Sequence, residues 1–271
     1  MDHNSSPKPR TPKSQRPVPH QAERFGAQIR DFFHFLLHPN FRRGYGRGTG
    51  DGWFKDWQLN LPWRRMFQWA GFMWAINLLV LAPLALLAAG DANATHRLQF
   101  SYMLIPLAVI WAPIVEEILF RFNIRRPLLA VWMIPVMIFV LLMQGTVIAT
   151  LALIAVLAIV MIVYPKLGLD QYGKHWRLPF KFLRFYRKYF VVLMHLLVFG
   201  FAYMHIFNYE FTAASMGTTL VMVLPQWFSG LALMWMRVRY GIANAIYLHA
   251  IFNGGPVFLI VFIKLLGIPL S

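Results

Sequence analysis

Apolar residues dominate the chain from Phe67 onward in long runs separated by short polar stretches, whereas residues 1–65 are polar and basic. Runs of roughly 18 or more apolar residues predict membrane-spanning helices, because a helix satisfies its own backbone hydrogen bonds inside the bilayer. The pattern predicts seven spans, near 67–89, 101–121, 128–143, 145–164, 190–208, 213–235 and 242–263. We therefore expect an all-α fold, a polytopic transmembrane helical bundle of about seven spans.

The first 65 residues differ from the rest in composition. Residues 1–24 are rich in proline and basic residues, cannot bury a core, and are expected to be disordered. Residues 29–41 (IRDFFHFLLHPNF) are short and amphipathic, which favours a helix on the membrane surface. The sequence thus predicts a basic, largely disordered cytoplasmic tail with a short amphipathic helix over 1–65, and a membrane-embedded domain over 66–271.

A second amphipathic stretch, WRLPFKFLRFYRKYF, occupies residues 176–190. At helical spacing its aromatic residues fall on one face and its lysines and arginines on the other. The pattern predicts an interfacial helix seated among anionic lipid headgroups. A role in guiding substrate is the alternative.

Composition and charge narrow the choice of partners. The chain is 58% hydrophobic and 13% charged, has a net charge of +16 and contains no cysteine. Disulfides, thiolate nucleophiles and cysteine-ligated metals are therefore excluded. We attribute the positive charge to loops that set topology and attract membrane lipids, and expect no nucleic-acid partner. The loops alternate, with 24 basic residues on one side and 2 on the other, which predicts a cytoplasmic N-terminus.

Two acidic residues interrupt the apolar pattern of the second predicted span. Glu117 and Arg121 are separated by four residues, share a helix face and can pair. Glu116 is rotated by about 100° and is free to face a cavity. A partly desolvated carboxylate beside a second one is suited to act as a general base, but a simple intramembrane salt bridge is an equal alternative.

Three histidines lie within predicted spans. His205 follows Phe201 by four residues, and His249 precedes Asn253 by four, so each pair shares a helix face. His195 has no such companion and is interpreted as structural. If the three polar clusters meet, they form one wet pocket inside the membrane.

These residues resemble the CPBP family of intramembrane endopeptidases, which includes CAAX prenyl proteases and bacteriocin-processing proteins and is also called Abi. That family carries Glu-Glu-x3-Arg, Phe-x3-His and His-x3-Asn/Asp/Ser motifs on three helices. The motifs read here as Glu116, Glu117 and Arg121, then Phe201 and His205, then His249 and Asn253. The resemblance covers about residues 100–265. It departs from the family at Phe122, where glycine is common, and in an extra apolar pair, 128–143 and 145–164.

The resemblance implies a protease-like domain and direct activation of water. Glu116 with His205 would take a proton from water as it attacks a peptide carbonyl. His249 and Asn253 would donate hydrogen bonds to the developing oxyanion, as preorganised donors do in acyl transfer.

Glu117 and Arg121 would hold the helix end and tune the neighbouring glutamate. We expect no cofactor. A zinc ion, if present, would take Glu116, His205 and His249 as its ligands.

Function therefore has three candidate classes. The first is an endopeptidase acting on a membrane-associated protein or peptide, placed in the cytoplasmic membrane of a bacterium. The second is a catalytically idle protein that binds a membrane partner or confers bacteriocin immunity. The third is a proton-coupled transporter, since intramembrane Glu and His residues also suit proton relays, although no repeated half is visible.

Overall fold

A computed structural model describes residues 24–44, 53–97, 101–143, 146–163, 179–211 and 215–267. These ranges are almost entirely helical, as the apolar pattern predicts. The helices are α1 (Phe25–Leu37), α2 (Trp53–Asp56), α3 (Trp63–Asp91), α4 (104–120), α5 (Pro127–Leu142), α6 (Val147–Val163), α7 (Phe180–Lys188), α8 (Phe190–Met204), α9 (Met216–Met222), α10 (Leu224–Tyr240) and α11 (Ile242–Leu265). Residues Thr95–His96 and Tyr209–Glu210 pair as two short antiparallel strands, β1 and β2. The predicted disordered tail, 1–23, and most of the glycine-rich loop, 45–52, lie outside the described residues.

Three of the described helices are long and apolar enough to cross a membrane: α3, α11, and α8 together with the 3-10 turn His205–Asn208 that ends it. Helices α9 and α10 would make a fourth if the bent pair is counted as one span. Helices α5 and α6 are apolar but shorter than 18 residues. The all-α, membrane-spanning character predicted from the sequence is therefore found, with three to four candidate spans.

Helix α10 is the centre of the bundle. From Phe228 to Tyr240 every one of its residues is buried, and α1, α3, α8 and α11 all pack against it. A second core cluster joins α4 to the hairpin of α5 and α6, which is the extra apolar pair noted in the sequence. Gly241, with φ of 105°, is the only residue between α10 and α11, and its lack of a Cβ permits that backbone.

The sixth predicted span, 213–235, needs correction. The structure divides it at Val223 into α9 and α10, which are bent by 50° relative to each other. Pro225 explains the break, because it has no N–H with which to continue the hydrogen bonding of α9. Helix α10 then continues to Tyr240, so Arg237 and Arg239 lie inside the bundle, fully buried, and not in a loop.

Those two arginines hold the N-terminal segment on the bundle. Arg237 pairs with Asp56 of α2 at 3.0 Å. Arg239 pairs with Asp31 of α1 at 2.6 Å and donates further hydrogen bonds to the carbonyls of Asn40 and Arg42. Residues 24–44 and 53–61 are therefore part of the packed structure, because their carboxylates neutralise charges that the membrane could not.

The ion pair of Asp31 makes stability depend on pH. Burial raises the pKa of Asp31, but hydrogen bonds and charge from Arg239, with Trp235 and Arg42, outweigh it and hold this pKa below its ordinary value of 3.8. A carboxyl group with a lowered folded pKa contributes stability above its unfolded pKa and loses it as the pH falls through the folded pKa. We expect the melting temperature in detergent to drop below about pH 4, and Asp31→Asn to flatten that acid limb. An unchanged limb in the variant would contradict this assignment.

Helices α3 and α11 approach closely where Gly255 faces Trp74. The indole Nε1 of Trp74 donates to the carbonyl of Phe252 at 3.0 Å, which fixes the ring, and a Cβ on Gly255 would lie 2.8 Å from Trp74 Cε2. We expect Gly255→Ala to lower the free energy of unfolding by about 1–3 kcal/mol through overpacking. Gly200→Ala on α8 is the matched control, since that position has open space and alanine favours helix. Equal melting temperatures of the two variants would contradict the close approach.

Candidate functional site

The two glutamates lie near the end of α4, where the helix stops at Phe120 and passes into the 3-10 turn Phe122–Arg125. Glu117 is completely buried, whereas the side chain of Glu116 keeps 16% exposure. The 100° rotation between neighbouring helix positions accounts for this difference. Glu117 faces the interior of the bundle, and Glu116 faces its edge.

The ion pair predicted between Glu117 and Arg121 is confirmed. Both side chains are fully buried, and Arg121 Nη1 donates to Glu117 Oε1. The guanidinium also lies over the ring of Phe201 at 4.2 Å, a cation–π contact that is strong when water is excluded. Gly230 of α10 leaves room for this arrangement, because a Cβ there would lie 3.1 Å from the Phe201 ring and 3.5 Å from Arg121 Nη2.

His249 of α11 joins the two glutamates. Its Nδ1 lies 2.9 Å from Glu117 Oε1, and its Nε2 lies 3.6 Å from Glu116 Oε2. The imidazole is nearly buried, so bulk water does not weaken its electrostatic interactions with the carboxylates. Since Glu117 is an acceptor held by Arg121, Nδ1 of His249 carries the proton and donates it, and Nε2 faces Glu116.

Several polar atoms of this cluster have no hydrogen-bond partner among the described residues. They are the second oxygens of both glutamates, Glu116 Oε2 and Glu117 Oε2, and the Nε and Nη2 atoms of Arg121. Buried atoms of this kind are satisfied by ordered water or by a ligand. The cluster therefore has acceptors and donors with which a bound water could form hydrogen bonds.

His205 is placed differently from the hypothesis that pairs it with Glu116. It caps the end of α8, where its Nδ1 donates to the carbonyl of Phe201 at 2.8 Å. Its ring packs on the ring of Phe201, which in turn lies 5.9 Å from the ring of His249. No hydrogen bond or ion pair joins His205 to either glutamate in the part of the chain that is described, and the imidazole next to Glu116 belongs to His249.

Asn253 is also engaged elsewhere. Its Nδ2 donates to the carbonyl of Ala108 at 3.0 Å, inside the π-helical turn Leu107–Trp111 of α4. A π turn shifts the backbone hydrogen-bond register and leaves carbonyls to be satisfied by other donors. Asn253 and His249 thus fasten α11 to α4 at two points, one at the π turn and one at the glutamates. His195, by comparison, contacts the carbonyl of Leu36 and joins α8 to α1, as expected of a structural histidine.

The donor set does not fit a zinc ion. Among the described residues, no group of three or more His, Cys, Asp or Glu side chains is arranged to hold a metal. Both histidine rings pack on the ring of Phe201, and Nδ1 of His205 is committed to the carbonyl of Phe201. The set Glu116, His205 and His249 is not brought together.

An apolar cavity of about 550 Å³ opens between α3, α4 and α11. Its walls include Ile114, which precedes Glu117 by three residues, and Ile246, which precedes His249 by three. Positions three apart are neighbours on a helix surface, so the cavity lies one turn from the polar cluster. Aromatic side chains, Phe67, Trp74, Tyr247 and Phe258, complete the lining.

Sequence reasoning missed two residues that support the site. Arg237 donates from Nε to the carbonyl of Arg121 and from Nη2 to the carbonyl of Phe122, both at 3.2 Å, and Asp56 neutralises it. The sequence does contain a signal for Arg237, because an Arg-Val-Arg sequence directly follows an apolar helix pattern. Arginines in that position need acidic partners. Asp56 was not recognised as a partner because it lies 181 residues earlier in the chain.

Comparison with protein-family models, with curated proteins and with solved structures found no match to this chain.

Proposed function

We propose that this protein is an intramembrane endopeptidase of the CPBP type that cleaves a membrane-associated protein or peptide by direct attack of water. The observation that carries the proposal is the cluster Glu116, His249, Glu117 and Arg121, buried in a helical bundle beside an apolar cavity. Burying three ionisable groups around one partly exposed carboxylate is costly in a membrane protein, and such groups are characteristic of functional sites.

The proposed reaction begins at Glu116. Its carboxylate takes a proton from a water molecule, and the oxygen of that water bonds to the carbonyl carbon of the substrate. The tetrahedral intermediate collapses by breaking the C–N bond, and Glu116 returns the proton to the leaving nitrogen. The carboxylate thus ends the cycle unprotonated, and the products are one acid and one amine.

The neighbouring groups have supporting roles in this scheme. His249 keeps its Nδ1 proton on Glu117, so its Nε2 is an acceptor that faces Glu116 and stabilises that side chain in its protonated form. Arg121 holds Glu117 in place as a counter-charge. His205, with Nδ1 committed to the Phe201 carbonyl, is a donor to an oxyanion through Nε2 only when protonated.

The seven-span topology with a cytoplasmic N-terminus belongs to this proposal. It is supported by the alternation of the basic loops, even without Arg237 and Arg239 of α10, and by the apolar helices α5 and α6, which are two shorter segments in addition to the three or four candidate spans. Hydrophobic stretches shorter than the bilayer are accommodated by local thinning or by flanking residues. Cysteines introduced at loop positions and labelled from one side of sealed vesicles would test the orientation.

The decisive experiment exposes the purified protein to a library of membrane-anchored peptides in the presence of hydroxylamine. Direct attack by water predicts cleavage that yields only carboxylic acid products, whereas an acyl-enzyme would divert part of the product to hydroxamate. Hydroxamate formation would contradict the mechanism. A cellular phenotype that persists in both Glu116→Ala and His205→Ala would favour the partner-binding alternative, and uptake driven by a pH gradient would favour the transporter.

A further inference from the structure

Helix α7 carries its side chains in three stripes. Tyr186 packs inward on the protein, and Phe182, Phe185 and Tyr189 form a second stripe at helical spacing that is 41%, 60% and 43% exposed, respectively. The third stripe consists of the exposed cations Lys181, Arg184, Arg187 and Lys188. A helix that lies along a bilayer surface needs this arrangement, with one side on the protein, one on acyl chains and one among headgroups.

The cations of α7 are available for a partner outside the chain. No carboxylate in the described residues pairs with Lys181, Arg184 or Arg187, although the acidic side chains of α1 and α2 are paired with arginines. Within α7 itself there is no acidic residue. Charge complementarity therefore favours an anionic partner, and the adjacent exposed aromatic stripe favours a lipid one.

The inner face of α7 contacts the turn that follows the glutamate helix. Tyr186 Oη donates to the carbonyl of Ile124 at 2.6 Å, and its ring stacks on Phe41. Burial raises the pKa of Tyr186 to about 12, against opposing effects of Arg125 and Arg237, so the phenol keeps its donor proton. Ile124 lies three residues after Arg121, within the turn Phe122–Arg125.

Phe41 ties the same turn to the N-terminal segment. Its ring lies 3.9 Å from that of Phe190, at the start of α8, and Arg125 lies over it. Arg125 also donates to the carbonyls of Phe41 and Val238. A displacement of α7 would therefore be transmitted directly to the turn that positions Arg121.

From these contacts we propose that α7 is a binding surface for anionic phospholipid, and that lipid bound there orders the turn Phe122–Arg125 through Tyr186. The lipid phosphate contacts Arg184 and Arg187, and the acyl chains contact the stripe of Phe182, Phe185 and Tyr189. The inference goes beyond the proposed hydrolysis and does not depend on it.

The first test measures lipid retention by native mass spectrometry on the full chain in neutral detergent, titrated with phosphatidylglycerol or with phosphatidylcholine. We expect the wild type to retain phosphatidylglycerol preferentially. The double variant Arg184→Gln with Arg187→Gln should bind it on the order of twentyfold more weakly at low salt, because each basic residue near an anionic surface contributes about fivefold. The matched control, Arg30→Gln with Arg97→Gln, removes the same charge from exposed positions outside α7.

The second test measures hydrogen exchange in the turn Phe122–Arg125 with and without phosphatidylglycerol. We expect the lipid to slow exchange about fivefold in the wild type, which corresponds to the free energy of roughly one hydrogen bond. Tyr186→Phe should still retain the lipid but should show no slowing of exchange. Equal retention of the two lipids, or equal loss in both double variants, would overturn the binding surface. Slowing in Tyr186→Phe as large as in the wild type, or none in the wild type, would overturn the link to the turn.

Discussion

Glu116→Gln is expected to lower the rate of peptide hydrolysis by about 10²- to 10⁴-fold, the usual contribution of a positioned general base. Glutamine keeps the size of the side chain and can still face His249, but its amide cannot take a proton from water. Because Glu116 is the member of the cluster that reaches the protein edge, its neutralisation should leave folding intact. The measurement is cleavage of a membrane-anchored peptide in liposomes, with the melting temperature measured in parallel.

Glu210→Gln is the matched control for this variant. Glu210 is an exposed carboxylate on strand β2 whose only described ion pair, with Arg97, is also exposed. It makes the same chemical change outside the cluster and should retain full activity. If Glu116→Gln retained wild-type turnover while remaining folded, the general-base role would be wrong and the endopeptidase proposal with it.

Asp56→Ala is expected to lower the free energy of unfolding by about 3–5 kcal/mol, because it removes the carboxylate that pairs with the buried guanidinium of Arg237 at 3.0 Å. Arg237 is completely buried in α10, and Asp56 is 2% exposed. The carboxylate is also within 3.6 Å of Arg126. Thermal unfolding in detergent would measure the loss, and proteolysis should report release of the segment 53–61.

Glu210→Ala again provides the comparison, since it breaks an ion pair whose side chains are 55% and 66% exposed. Exposed pairs contribute about 0–1 kcal/mol. A loss of similar size in Asp56→Ala and Glu210→Ala would show that the segment 53–61 is not held through Arg237. Replacing Asp56 and Arg237 together by apolar residues should recover part of the stability, because no charge is then left buried.

The exchange of partners between the two histidines changes the mechanistic picture. The resemblance to the CPBP family implies that Glu116 works with His205 and that His249 donates to the oxyanion. In the structure His249 lies 2.9 Å from Glu117 and 3.6 Å from Glu116, whereas no hydrogen bond or ion pair joins His205 to either carboxylate among the described residues. His249 is therefore the imidazole best placed to support Glu116.

Spacing along the sequence was sufficient to predict a contact where both partners belong to one helix. Glu117 and Arg121 are one turn apart, and the ion pair follows directly from helix geometry. The same holds for the differing exposure of Glu116 and Glu117, which a rotation of 100° dictates. Helix boundaries followed from apolar runs for the same reason, with α8, together with its 3-10 turn, matching the predicted span 190–208.

Contacts between segments that are distant in the chain could not be predicted from helical spacing. Arg237 and Arg239 look like loop residues that orient the protein in a membrane, and Asp31 and Asp56 look like residues of a tail. Their pairing depends on α10 continuing for one more turn after an apolar stretch and on α1 and α2 folding back onto it. Either event alone would forgo the ion pairs that these buried arginines make with Asp31 and Asp56.

The sequence by itself determined a helical membrane protein, the approximate limits of its helices, and the short inventory of ionisable groups inside them, because apolar periodicity and spacing along one helix are local properties. Only the tertiary structure decided which histidine contacts the glutamates and which carbonyl accepts the hydrogen bond of Asn253. It also decided that Asp31 and Asp56 of the N-terminal segment pair with two buried arginines. Those outcomes depend on how helices far apart in the chain approach each other, and a choice among donors of the same type is settled by packing and desolvation rather than by residue identity.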